Sequence, residues 1–202
     1  MPGQVQIDDG LQRRATAIAV RENVGFDFGA WAHVLTLLGD QGARWSRLYL
    51  VNDSIFGPLE ARPFSRLIER IRGSTADVVG LTEALAPLRH LQSYFLVFGS
   101  HALRSGAVKR VFARVRNWPT KQQVIDIHET RLTALFQAEG LCTEALFPAL
   151  TDDPLSSDDT SLRWAALVAQ GYPYLKTRVM FAHGNDTRIK AWRAARPEPP
   201  TT

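Results

Sequence analysis

The chain has 202 residues, 45% apolar and 22% charged, which suits one soluble domain with a sizeable core. Its net charge of +4 favours anionic partners such as phosphates or anionic membrane surfaces, but is too small and too dispersed to argue for nucleic acid. The single cysteine, Cys142, excludes an internal disulfide, no apolar run reaches the length of a membrane span, and Met1 to Gly10 lacks a signal-peptide pattern, so a cytoplasmic chain is expected.

Residues 1–14 are polar and read as a loose N-terminal segment. Ala15 to Val20 reads as a buried strand that ends in the Asn23, Gly25, Asp27 turn. Phe28 to Leu38 is helix-like, with Trp31, Val34, Leu35 and Leu38 at helical spacing. Arg47 to Val51 is a second strand, and Phe64, Leu67, Ile68 and Ile71 line a helix that Gly73 stops. Ala76 to Leu81 and Gln92 to Phe98 are the third and fourth strands, and Val108 to Val115 is helical. Thr120 caps a long helix running to Glu139. Leu141 to Leu146 reads as an edge strand, Thr151 to Thr160 as an acidic loop, and Ser161 to Gln170 as a short helix stopped by Gly171. From Gly184 onward charge and proline dominate, ending Pro197-Glu198-Pro199-Pro200, so residues 184–202 read as a frayed basic tail. Strands alternate with helices through the first half, which predicts an α/β domain over residues 15–183.

Two turns in this frame have the composition of a polar ligand site. Asn52-Asp53-Ser54 follows a strand and precedes Gly57-Pro58. A carboxylate there can hold a hard divalent cation, Mg²⁺ or Mn²⁺, that bridges two phosphates. An Asx-turn is the plain alternative. Asn23, Gly25, Asp27 and Gly29 alternate polar groups with glycine; they fit a nucleotide or sugar contact, or a helix start with Asp27 as N-cap. His90 and Gln92 share one strand face and can meet a substrate hydroxyl or phosphate, although a structural histidine is the commoner case. On the long helix, Glu129 borders the apolar stripe of Val124, Ile127, Leu132 and Phe136. Partial desolvation there would favour its neutral form and suit a general base; a solvated helix-edge glutamate is the alternative. His128, nearer mid-stripe, reads as a core histidine. Lys176, after Gly171-Tyr172-Pro173-Tyr174, can offset diphosphate charge. Arg188, Lys190, Arg193 and Arg196 around Trp192 could touch the inner face of an anionic membrane, but a disordered basic tail is the favoured account.

Taken in order, these segments resemble the rhamnan synthesis F family of glycosyltransferases. The resemblance rests on Arg21 to Trp31, Asn52-Asp53-Ser54 with Gly57-Pro58, Gly80-Leu81-Thr82, and His90-Leu91-Gln92-Ser93-Tyr94-Phe95. It continues through Glu129 with Leu132-Thr133, then Trp164 with Gly171 to Lys176. It implies a GT-A-type, mostly parallel sheet flanked by helices, working in envelope polysaccharide assembly. The implied donor is a nucleotide sugar, dTDP-L-rhamnose, and the acceptor a growing glycan. By this analogy Asp53 holds the metal diphosphate, although the second acid of an Asp-x-Asp pattern is lacking. Asn23, Gly25, Asp27, Asn52, Ser54, His90, Gln92 and Lys176 bind substrate, and Glu129 is the general base of an inverting hexosyl transfer. Family members carry a further strand and helix before the first turn. Few residues precede it here, so an exposed sheet edge, weak donor binding and self-association are expected. The alternative reading is a non-catalytic carbohydrate-binding or scaffold subunit on a degenerate GT-A fold.

Overall fold

The structure is a computed structural model that describes residues 7–195. It is an α/β fold whose strands among these residues are β1 (Arg47–Val51), β2 (Ile55–Phe56), β3 (Val78–Ala84), β4 (His90–Leu91), β5 (Phe95–Gly99), β6 (Thr143–Phe147) and β7 (Leu175–Lys176). In the main sheet β1 pairs with β5, β5 with β3, and β3 with both β4 and β6. Only β3 and β6 run parallel; the other pairs are antiparallel. The sheet is therefore mixed, where a mostly parallel one was expected. Strand order and direction depend on tertiary pairing, which alternation along a strand does not encode.

Of the fourth strand expected over Gln92 to Phe98, only the part from Phe95 is strand, as β5; β4 precedes it, with an interruption between them. Glu83 faces Leu91, while Gly80 faces Leu96, so three steps along β3 match five along the other strand. Two surplus residues bulge out around Gln92 to Tyr94. Such bulges re-aim side chains and are common beside functional sites.

Alternation along β5 builds a core on each face. Leu96 and Phe98 enter a cluster with Phe28, Trp31, Phe112, Leu132 and Phe136. Phe95 and Val97 enter a second with Leu67, Ile71, Leu167, Tyr172 and Tyr174. On the first face, helices Phe26–Leu38, Ala107–Phe112 and Thr130–Ala138 supply the packing. On the second, helix Ala61–Gly73 does so with Leu67 and Ile71. A third cluster joins Trp164, Leu175, Val179, Met180 and Ile189.

Residues 15–20 form no strand; Ile18 is 40% and Val20 56% exposed. Half of that run is alanine, which favours strands weakly, and no neighbour offers it a ladder. Helix Asp9–Arg14, capped by Asp8, occupies part of the segment expected to be loose. Helix Thr187–Ala194, capped by Asp186 with Ile189 fully buried, occupies part of the segment expected to be a frayed tail. Arg196 and the Pro197-Glu198-Pro199-Pro200 run lie outside the described residues. No helix among the described residues is long and apolar enough to cross a membrane.

Candidate functional site

A cavity of about 860 Å³ opens where the β1 turn, the β4–β5 bulge and the long helix meet. The turn after β1 supplies its first wall. Asn52 Oδ1 accepts from the Ser54 amide at 3.0 Å and the Ser54 hydroxyl at 2.6 Å, an Asx-turn. Asn52 Nδ2 donates to Asp27 Oδ2 at 3.0 Å, tying the turn to helix Phe26–Leu38. Burial raises the Asp27 carboxyl above its ordinary range; the Asn52 bond opposes this, and nearby Asp53 and Glu129 add to it. Phe26, beside Asp27, takes a φ of 52°, a left-handed conformation that costs about 1–3 kcal/mol in a non-glycine residue.

Lys176 closes this wall from β7. Its Nζ donates to Ser54 Oγ at 3.3 Å and lies 3.7 Å from the centre of the Tyr94 ring, within cation–π range. Burial pulls its pKa down to about 8, with Glu129 and Asp158 pulling the other way. Asp27, Asn52, Ser54 and Lys176 thus form one continuous run of polar contacts.

The long helix supplies the opposite wall. Thr120 starts it with a reciprocal cap, its hydroxyl accepting from the Gln123 amide and its own amide donating to the Gln123 side chain. The helix runs through Lys121–Val124 and Thr130–Ala138, with a π-helical turn at Ile125–Glu129 between them. Such turns recur at functional sites. Glu129 ends the turn, and its Oε1 accepts from the Ser93 amide at 2.8 Å and the Ser93 hydroxyl at 2.9 Å. Its Oε2 has no protein partner among the described residues. His128 is buried, stacked 5.6 Å from Phe28 and bonded to the Arg116 backbone, as a core histidine should be.

The β4–β5 bulge completes the site. His90 is buried with Nδ1 on the Leu88 carbonyl at 2.7 Å. Gln92 Oε1 accepts from the Thr82 hydroxyl at 2.6 Å.

The rhamnan synthesis protein F family matches residues 5–193. The chain belongs to that family. A relative in Vibrio anguillarum, virulence protein VirA, is 27% identical over 181 residues, covering 88% of this chain and 55% of that protein. Protein y4gN of Sinorhizobium fredii, itself uncharacterised, is 30% identical over 134 residues, 64% of this chain and 34% of that one. The chain thus spans between about a third and just over half of the length of these curated relatives. No solved structure matches it significantly.

In this rhamnan synthesis F chain, seven of the ten expected site residues line the cavity: Asp27, Asn52, Ser54, His90, Gln92, Glu129 and Lys176. Asn23, Gly25 and Asp53 do not. Asn23 is exposed on the segment before the helix. Gly25 is the helix N-cap at φ 76°, where a Cβ would come 2.3 Å from Asn117 Oδ1, so packing explains the glycine. Asp27, expected there as the cap, sits two residues past it, in the helix's first turn. Asp53 is exposed, with its carbonyl bonded to Thr177. No group of three or more His, Cys, Asp or Glu among the described residues is arranged to hold a metal ion. Asp53 is therefore not part of such a group. Ser93, Lys121, Asp158 and Arg178 line the cavity without having been singled out in the sequence. Ser93 stood within the His90-Leu91-Gln92-Ser93 motif; the other three carry no local signal.

Proposed function

We propose that this chain is a GT-A-type domain of an inverting hexosyltransferase that moves a sugar, L-rhamnose by family analogy, from a nucleotide donor to an envelope glycan. One observation carries the reading: one cavity holds a carboxylate with one oxygen tied to Ser93 and the other open, together with the ammonium of Lys176. In the proposed step an acceptor hydroxyl loses its proton to Glu129 Oε2 while its oxygen bonds to the anomeric carbon. The bond from that carbon to the diphosphate breaks, and the electron pair leaves with the diphosphate. Lys176 and Lys121 offset the charge that develops. Ser93 holds Glu129 in one rotamer, which is the positioning a proton acceptor requires.

Glu129→Gln keeps shape and removes the basic carboxylate. Turnover with a nucleotide-sugar panel is expected to fall about 10²–10⁴-fold with folding nearly unchanged. Undiminished turnover would exclude Glu129 as the base. The mixed sheet, in place of a mostly parallel one, favours a second reading, a non-catalytic carbohydrate-binding subunit on a degenerate fold. A wild-type chain that binds sugars with no transfer in the same assay selects it.

A further inference from the structure

Behind the cavity wall lies a row of buried hydroxyls. Tyr172 Oη donates to Tyr94 Oη at 2.8 Å, Tyr94 Oη lies 2.6 Å from Thr82 Oγ1, and Thr82 Oγ1 donates to Gln92 Oε1 at 2.6 Å. Burial raises the pKa of both tyrosines well above the ordinary value, so each keeps its proton. The row has one workable direction. Tyr94 is the hydrogen-bond partner of the Tyr172 hydroxyl, which is buried. If the row ran the other way, from a flipped Gln92 amide inward, the Tyr172 proton would have no acceptor. An unmet buried donor costs about 1–3 kcal/mol. Running outward, every hydroxyl proton is placed. The Gln92 carboxamide is thereby locked with its oxygen inward and its NH₂ outward.

His90 is fixed by a similar argument. The Leu88 carbonyl can only accept, so Nδ1 carries a proton, and the tautomer this selects has its lone pair on Nε2. Neither Nε2 of His90 nor Nε2 of Gln92 has a protein partner among the described residues. Yet the only buried side-chain polar atom without a partner among those residues is Trp118 Nε1. Both nitrogens must therefore reach solvent, and at this wall the solvent is the cavity that both residues line.

We propose that Gln92 and His90 are the specificity-determining pair of the site: a donor and an acceptor of fixed polarity that read two hydroxyls of the sugar. Gln92 donates to one hydroxyl oxygen, and His90 accepts the proton of another. Tyr172, Tyr94 and Thr82 are positioning residues that act through Gln92. The proposal rests on the glycosyltransferase reading, which supplies the sugar.

The test is calorimetric titration of the whole chain with two probes, dTDP-L-rhamnose and dTDP. Gln92→Met removes the donor, His90→Phe removes the acceptor, Thr82→Val cuts the row, and Thr82→Ser keeps it. The first three variants are expected to weaken dTDP-L-rhamnose about tenfold each, the worth of one hydrogen bond. Their affinity for dTDP should stay unchanged. Thr82→Ser should bind both probes like the wild type, a rescue that a merely structural Thr82 would not require of a hydroxyl. Should Thr82→Val fail to fold by circular dichroism, Gln92→Met and His90→Phe decide. Unaltered sugar binding in those variants would overturn the pair, as would equal loss of both probes, which would move the contact to the nucleotide. A wild-type chain that binds neither probe would overturn the glycosyltransferase reading first, and the pair with it.

Discussion

Lys176 is held under two opposed demands. Burial among Tyr94, Ser54 and the cavity wall favours the neutral amine, while Glu129 and Asp158 favour the ammonium, and the outcome is a pKa of about 8. If the ammonium neutralises a diphosphate, nucleoside diphosphate affinity should be flat below that pH and fall above it. The stability effect has the opposite sign. An unfolded lysine keeps its proton to about 10.5, so between the two values the unfolded chain binds more protons than the folded one. Stability from this group therefore rises with pH across that window. Lys176→Met should flatten both profiles, measured by titration calorimetry and by urea midpoints at pH 7 and pH 9.5. At this scale most of the site was legible in the sequence. Asp27, Asn52, Ser54 and Lys176 stand in turns whose chemistry shows in the residues themselves. Thr82 and Ser93 were not legible as site residues, because each matters through a partner brought to it by the bulge.

At the scale of elements, the long helix carries Lys121 and Glu129 to the cavity and depends on its start. Thr120→Ala removes one half of the reciprocal cap and should cost about 1 kcal/mol, with Thr120→Ser nearly neutral, read from denaturant unfolding. The cap, the helix and its end were plain in the sequence, because side chains three and four apart report their own neighbours. So were β1, the helix stopped by Gly73 and the short β6. Residues 15–20 misled, since an apolar run looks the same whether or not a partner strand exists. The bulge between β4 and β5 was invisible for a related reason. Only the register against β3 reveals two surplus residues, and β2 and β7 are too short to show any period at all.

In the molecule as a whole, the C-terminal helix supports the site from behind. Ile189 packs with Leu175, Trp164 and Met180, and Arg188 lies over the Trp164 ring at 4.8 Å. Leu175 and Lys176 form β7, which pairs with β2 beside the Asn52 turn. Ile189→Ala should cost about 2–5 kcal/mol for the buried side chain it removes. It should also loosen Lys176, so thermal stability and nucleoside diphosphate affinity should fall together. The sequence reading missed this helix because composition averages over a segment, and here one buried isoleucine outweighs many exposed charges.

The π-turn at Ile125–Glu129 makes the long helix two rods set out of phase. One surplus residue offsets the downstream half by about 100° from where an unbroken helix would carry it. Leu132 and Phe136 downstream and Val124 upstream still reach the same cluster, and Thr133 still reaches the Leu91 amide at 2.8 Å. A lineage that lost that single residue would gain a regular helix. It would then have to choose which half to leave in place. Keeping Leu132, Thr133 and Phe136 seated would rotate Lys121 away from the cavity, and keeping Lys121 would unseat the core. Tolerance to deletion should therefore change abruptly along this helix, with the turn as the one stretch where length itself is under selection.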